Sequence, residues 1–343
     1  MVLLLAAELA CRALQPSGRV PYSLDGVGEY RSLGPELEAV GAAPISVVGS
    51  SRAREAVLLP LVRLLMAERT GSEPRVANYA IAGAHAGEVA LVVDRLLAAD
   101  PPPEIVLYGL TPRQLVDKGA PRNSAYLWNL DDWWAERNER GRSVDRFLPQ
   151  VLRNQLVRRV RLYRYREEIA AAFATPASES FVRTLRRGLA ERDSDESPMR
   201  GDLTDLQRGE SIRSRRVSDA YTREYVARIW LPDAWSMTEQ ERKLASLVEA
   251  CRVARVPIVL FEVPISEVLL RNLPEGAYAS FLTIVSRVSS ESGVPFYSAR
   301  DLELHPLQKD FREQSHLNNL GGMKVTRALV AEILVPWTLE AGL

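Results

Sequence analysis

Cysteine is scarce in this chain of 343 residues, which contains only Cys11 and Cys251. Two cysteines so far apart in sequence provide neither a disulfide framework nor the clustered thiolates of a cysteine-based metal site. Histidine is nearly as rare, with three residues in the whole chain. We therefore predict no metal centre, and any reaction that needs an imidazole has few residues to choose from.

An excess of charge of either sign is also missing, since 44 lysines and arginines balance 44 aspartates and glutamates. This balance argues against a polyanionic partner such as nucleic acid. Neither the G-x-G-x-x-G pattern nor a Walker P-loop occurs, which argues against a Rossmann cofactor or a P-loop nucleotide. The sequence thus predicts no cofactor and no nucleic-acid partner.

The apolar run at the start, MVLLLAAELACRAL, is shorter than a membrane-spanning helix. Spanning a bilayer takes roughly 20 apolar residues, and Glu8 interrupts this run. Residues 1–14 are therefore interpreted either as the end of a membrane anchor or signal-like segment, or as an amphipathic helix packed on the domain. Residues 15–43, with their glycines and prolines, are predicted to be a linker.

Over most of the remaining chain, short apolar runs alternate with amphipathic helical stretches, which is typical of a parallel α/β sheet covered on both faces. The predicted strands are residues 45–48, 75–81, 104–108, 256–263 and 294–297. The main predicted helices are residues 52–68, 86–99, 239–255, 278–292 and 323–334. Sheets of this kind bind their ligands at the carboxyl ends of the strands, so the residues that follow each strand are the candidates for function.

Residues 121–236 interrupt the alternation, and they contain five of the six tryptophans together with many arginines. We predict a mainly helical insertion or cap between the third and fourth strands. Its tryptophans are suited either to stacking on sugar rings or to anchoring helices by packing. Its arginines are suited either to anionic head groups or phosphate, or to a solvated helix face, because acidic residues are interleaved among them.

The first predicted strand ends in Gly49-Ser50-Ser51-Arg52, and a helix follows. This arrangement presents small side chains, including the hydroxyl of Ser51, at the carboxyl end of the strand. The simpler interpretation is an ordinary turn with serine as the helix N-cap. If Ser51 is instead a nucleophile, it needs a neighbouring base.

The candidate base is His316, in the segment DFREQSHLNNLGG near the C-terminus. Glu313 precedes it by three residues, a spacing that allows a carboxylate to reach the imidazole Nδ1. Such a contact holds the tautomer whose Nε2 accepts a serine proton. Ser51, His316 and Glu313 are therefore the predicted catalytic residues.

At these positions the chain resembles the SGNH (GDSL-like) hydrolases, especially the membrane-anchored branch that includes cell-envelope O-acyltransferase-like proteins and the D-alanyl transfer protein of teichoic acid. The resemblance covers residues 44–115 and 256–334. Four motifs carry it, in the order of the family: Gly49-Ser50-Ser51, the segment VANYAIAGAHAG with Gly83, Gly109-Leu110-Thr111, and Glu313-Gln314-Ser315-His316. Two residues depart from the pattern, since threonine stands at 111 in place of asparagine and glutamate at 313 in place of aspartate.

The resemblance implies a flavodoxin-like three-layer fold, with residues 44–120 and 237–343 forming one α/β domain. It also implies an oxyanion hole made by the backbone N–H groups of Ser51 and Gly83, with Thr111 in the place of the asparagine. Arg52, His85 and Arg113 lie next to these motifs and are candidates for binding substrate, although salt bridges or a polar niche would explain them equally well.

The predicted function is that of a serine-dependent esterase or O-acyl (acetyl) transferase, which acts on an acyl ester or a glycan. The resemblance places it in the cell envelope, with membrane association through the N-terminus; a cytoplasmic protein is the alternative location. Two other functions stay open: a catalytically degenerate relative that binds envelope glycan or proteins, and a membrane-tethered assembly protein that works through its insertion.

Overall fold

The computed structural model describes residues 41–117, 130–152, 219–230 and 235–341. By their contacts, residues 130–152 belong to one compact unit, and the other described ranges belong to a second unit that contains the sheet. The predicted anchor, nearly all of the predicted linker and much of the predicted insertion lie outside these ranges. No helix within them is both long and apolar enough to cross a membrane.

Five parallel strands form a single sheet in the order β2-β1-β3-β4-β5. The strands are β1 Ile45–Gly49, β2 Val76–Asn78, β3 Ile105–Leu110, β4 Ile258–Glu262 and β5 Phe296–Tyr297. Every residue of β1 and β3 is buried, as expected for central strands with helices on both faces. This is the flavodoxin-like strand order, and it confirms the predicted α/β fold with five parallel strands.

Helices cover both faces of this sheet. In chain order they are α1 Ser51–Ala56, α2 Leu59–Thr70, α3 Ala86–Leu97, α4 Pro112–Leu115, α5 Leu130–Arg140 (in the other unit), α6 Asp219–Trp230, α7 Thr238–Ala254, α8 Glu267–Asn272, α9 Ala277–Ser292, α10 Asn319–Leu329 and α11 Val335–Ala341. On one face α7 packs between α3 and α9, and on the other α2 packs against α10 and α11. Helix α6, which the sequence assigned to the insertion, packs on α8 in the unit that contains the sheet.

The first helix differs from its prediction, because the predicted helix 52–68 is two helices, α1 and α2. Thr326 of α10 holds the break: its hydroxyl accepts a hydrogen bond from the N–H of Leu58 at 2.9 Å and donates one to the carbonyl of Ala56 at 3.1 Å. Pro60, in the first turn of α2, suits a helix start. The short α1 therefore ends where the chain turns back against α10.

The last helix also begins earlier than residues 323–334 predict. Asn318 caps α10, since its side-chain oxygen accepts hydrogen bonds from the N–H groups of Leu320 at 2.9 Å and Gly321 at 3.2 Å. Inside α10, position 322 requires glycine because α10 approaches α1 closely there. A Cβ at this position would lie 2.6 Å from the carbonyl oxygen of Glu55. A π-helical turn, Val330–Leu334, then joins α10 to α11.

The smaller described unit contains α5, a 3-10 helix, Gly141–Phe147, and a helical segment at residues 148–152. Trp133 is buried, and its indole N–H donates to the carbonyl of Val144 at 3.2 Å. Arg137 forms an ion pair with Asp145 at 2.8 Å, and its guanidinium lies 5.3 Å from the ring centroid of the exposed Trp134. Of the two tryptophans, Trp133 is therefore a packing anchor, while Trp134 presents its ring at the surface.

Gly49, which joins β1 to α1, has no room for a side chain. Its φ is +143°, and a Cβ would lie 2.6 Å from the Cβ of Ala53 and 2.7 Å from the carbonyl oxygen of Gly109. We expect Gly49→Ala to lower the free energy of unfolding by about 1–3 kcal/mol through overpacking, with backbone strain added. Urea denaturation measures this change.

The matched control is Gly87→Ala, inside α3. A Cβ there makes only an ordinary contact, 3.6 Å from Cγ of Lys243, and alanine is favoured over glycine in a helix by about 1 kcal/mol. We expect this variant to be as stable as the parent or more so. Equal destabilisation of both variants would contradict the steric role of Gly49.

Candidate active site

Ser51 begins α1 at the carboxyl end of β1, beside the central strand β3. The backbone arrives there through Gly49, and Ser50 makes a single parallel bridge with Ile81. The side chain of Ser51 is half-buried, and its Oγ lies 2.8 Å from Nε2 of His316. Because Ser51 is the first residue of a helix, its N–H has no acceptor within that helix. The simpler N-cap interpretation falls on Ser50, which occupies the cap position without a capping side-chain bond.

His316 is held by a loop that closes on itself just before α10. Phe311 and Leu317 form an antiparallel bridge across the loop, and the N–H of Arg312 donates to the carbonyl of His316 at 2.9 Å. The buried hydroxyl of Ser266, after β4, donates to the carbonyl of Gln314 at 2.6 Å. The loop is thus tied to itself and to the carboxyl edge of the sheet, which fixes the direction of the imidazole.

The other ring nitrogen of His316, Nδ1, forms a hydrogen bond with Oε1 of Glu313. A carboxylate at this position favours the tautomer with the proton on Nδ1, which leaves Nε2 free to accept the proton of Ser51. Ser315, which lies between the two residues in sequence, supports the pair, since its Oγ donates to Oε1 of Glu313 at 2.9 Å and lies 3.1 Å from Nδ1. The carboxylate is therefore held in place on the ring by a second hydrogen bond.

The environment of Glu313 keeps it ionised. Burial acts to raise the pKa of this carboxyl, but the hydrogen bond and charge of His316, the hydrogen bond from Ser315 and the charge of Arg52 outweigh burial and lower it below the ordinary value. Glu313 is therefore a carboxylate at neutral pH, and it stabilises an imidazolium when His316 takes up a proton.

Arg52, the residue after Ser51, turns inward and is almost fully buried. Its Nη1 donates to Oγ1 of Thr111 at 3.2 Å, and its Nη2 donates to the phenolic oxygen of Tyr225 at 3.1 Å. Burial lowers the pKa of this guanidinium. Arg52 thereby joins the nucleophile segment to the end of β3 and to α6.

Thr111, the predicted third residue of the oxyanion hole, is buried at the start of α4. Its backbone N–H and its hydroxyl both donate to Oε1 of Gln114, at 2.9 and 3.2 Å. In this conformation the hydroxyl proton points to Gln114, and the hydroxyl oxygen receives the hydrogen bond from Arg52.

The remaining predicted residues lie on the neighbouring loops. Gly83 follows β2 with φ +74°. His85 is buried at the start of α3, where its ring Nδ1 lies 3.0 Å from the carbonyl of Val116. Its backbone N–H donates to the carboxylate of Glu88 at 2.8 Å. Arg113, in α4, is half-buried, and its charge acts on both Arg52 and Tyr225.

The structure thus brings Ser51 and Glu313 each to hydrogen-bonding distance of His316, and it places Arg52 beside them. Sequence reasoning missed Ser315 and Tyr225. Ser315 lies inside the Glu-Gln-Ser-His motif, so its contact with the catalytic pair could have been predicted from its position. Tyr225 has no local motif, since only the packing of α6 brings it to Arg52.

Comparison of the sequence with models of known protein families finds no match, and comparison with curated proteins finds no similar sequence either.

Proposed function

We propose that the protein is a serine-dependent esterase or O-acyl (acetyl) transferase, with a cell-envelope glycan or another acyl ester as substrate. The observation that carries this proposal is the chain of contacts from Ser51 Oγ through both ring nitrogens of His316 to the carboxylate of Glu313. This is the arrangement that activates a serine hydroxyl for attack on a carbonyl.

The first half of the reaction forms an acyl-enzyme. Ser51 Oγ bonds to the carbonyl carbon as its proton passes to Nε2 of His316, and Glu313 stabilises the resulting imidazolium. When the tetrahedral intermediate collapses, the bond from the carbonyl carbon to the alcohol oxygen breaks, and His316 returns the proton to that oxygen.

The second half releases the acyl group. Water or a sugar hydroxyl gives a proton to His316 and attacks the carbonyl carbon of the acyl-enzyme. The bond from that carbon to Ser51 Oγ then breaks, and His316 returns the proton to Oγ. Water makes the protein an esterase, and a sugar hydroxyl makes it a transferase. The backbone N–H groups of Ser51 and Gly83 are the proposed donors to the oxyanion, with Thr111 as the third.

Thr111 also supports a second candidate function, binding of envelope glycan or a partner protein without turnover. Its backbone N–H and its hydroxyl proton are both directed to Gln114, so Thr111 donates to the oxyanion only when one of these hydrogen bonds opens. Loss of one such donor typically lowers kcat by about 10²–10³-fold. A protein of this kind would still bind its ligand at the Ser51 site but would not catalyse acyl transfer.

A fluorophosphonate probe separates the two functions. We expect it to phosphonylate Ser51, with loss of fluoride, because only an activated serine attacks such a probe. Peptide mass spectrometry locates the modified residue. Ser51→Ala should abolish labelling, while the neighbouring Ser50→Ala should retain it. An unlabelled parent protein that is folded would favour the binding function.

A further inference from the structure

Two arginines beside the proposed nucleophile have no ion-pair partner among the described residues. Neither the guanidinium of Arg52 nor that of Arg113 has a carboxylate oxygen within 4.0 Å there. The contacts of Arg52 are to two hydroxyl oxygens, those of Thr111 and Tyr225. Glu313 acts on Arg52 only through its charge at longer range.

Both arginines also have hydrogen-bond donors without an acceptor among the described residues. The Nε atoms of Arg52 and Arg113 are buried, and no atom of the described ranges accepts a hydrogen bond from them. A guanidinium carries five N–H donors, and Arg52 donates to two oxygens. Buried polar groups are normally satisfied, so unsatisfied donors on two neighbouring cations indicate an acceptor from outside the described residues.

The pKa of the Tyr225 phenol reflects a positive electrostatic potential beside Arg52 and Arg113. Burial acts to raise the pKa of Tyr225, and the charge of Glu313 acts in the same direction. The charges of Arg52 and Arg113, together with a hydrogen bond between Tyr225 and Ser315, nevertheless lower it below the ordinary value. The two arginines therefore outweigh the nearby carboxylate.

We propose that Arg52 and Arg113 form an anion subsite that binds a carboxylate or phosphate group carried by the ester substrate. The proposal rests on the proposed acyl transfer at Ser51. Arg113, which is half-buried, contacts the anion directly. Arg52, held by Thr111 and Tyr225, adds a second fixed charge and its unsatisfied Nε–H. The planar guanidinium matches both kinds of oxyanion.

The kinetic test compares anionic esters with neutral esters of similar size. One pair, mono-4-nitrophenyl adipate and 4-nitrophenyl hexanoate, places the charge on the acyl side. The other pair, 3-carboxyphenyl acetate and 3-carbamoylphenyl acetate, places it on the alcohol side. In at least one pair we expect a preference for the anion in kcat/KM, and Arg113→Gln should reduce this preference by about 10–100-fold, the value of a charged hydrogen bond.

Arg300→Gln is the matched control, because Arg300 is exposed and lies outside the cluster. It should leave the anion preference unchanged. If Arg113→Gln slows both members of a pair equally, Arg113 serves the oxyanion of the intermediate and the anion subsite is refuted. Equal rates for both members in the parent protein refute it too.

Binding to the inactive Ser51→Ala protein separates this proposal from the proposed reaction. Ligand-observed NMR with adipate monoamide or ethyl phosphate should show binding that Ser51→Ala/Arg113→Gln loses and Ser51→Ala/Arg300→Gln retains. The probe that binds identifies carboxylate or phosphate. Binding of this kind without ester hydrolysis would refute the reaction and keep the subsite, while hydrolysis without binding or anion preference would refute the subsite alone.

Discussion

Ser51→Ala, His316→Ala and the double variant are each expected to lower kcat for 4-nitrophenyl acetate by a similar factor, of order 10⁴–10⁶. The reason is that the two residues act as one unit: the hydroxyl attacks only if Nε2, 2.8 Å away, takes its proton. Once either partner is gone, removal of the other costs little more. Steady-state kinetics on the three variants, with spontaneous hydrolysis subtracted, measures this.

His305→Ala is the control for the histidine, since His305 is exposed. It should leave kcat within about twofold of the parent, as expected for a surface substitution away from the site. Multiplied losses in the double variant would show that Ser51 and His316 act independently. Full esterase activity in Ser51→Ala would refute the serine mechanism.

The proposed catalytic residues were predictable from the sequence because each follows a local pattern. β1 is a short apolar run that ends in small residues, and Glu313 and His316 share one segment. The five strands were found by the same reasoning, although β2 stops at Asn78, earlier than residues 75–81 predict. There the side chain of Asn78 accepts a hydrogen bond from the N–H of Ala80 at 3.1 Å, and the regular ladder gives way to a single bridge between Ile81 and Ser50.

What the sequence did not predict depends on distant packing. The break between α1 and α2 is held by Thr326, far along the chain. The inward turn of Arg52 depends on Thr111 and on Tyr225 of α6. No periodicity or motif within a short window contains these partners, so the polar surroundings of Ser51 became visible only in the folded chain.

Replacement of Glu313 by glutamine is expected to lower kcat by about 10⁴-fold, as when the triad carboxylate of a serine protease becomes an amide. The amide no longer stabilises the imidazolium and no longer selects the tautomer with the proton on Nδ1. Glu313→Asp keeps the charge, but its side chain is one methylene shorter. Because Ser266 and the Phe311–Leu317 bridge hold the loop, we expect the carboxylate to lose contact and kcat to fall by about 10²-fold.

The same carboxylate makes a prediction about stability and pH. The folded-state pKa of Glu313 is lowered from its ordinary value of 4.5, so its ionised form stabilises the fold above that value, and this contribution disappears as the pH falls through the lowered pKa. Glu313→Gln should therefore be less stable than the parent at pH 7, and the difference should begin to shrink near the ordinary pKa and continue to shrink below it. Urea denaturation of both proteins from neutral into acidic pH measures it. If the parent instead gains stability relative to Glu313→Gln as the pH falls, Glu313 is not ionised in the folded protein, and the carboxylate is removed from the proposed mechanism.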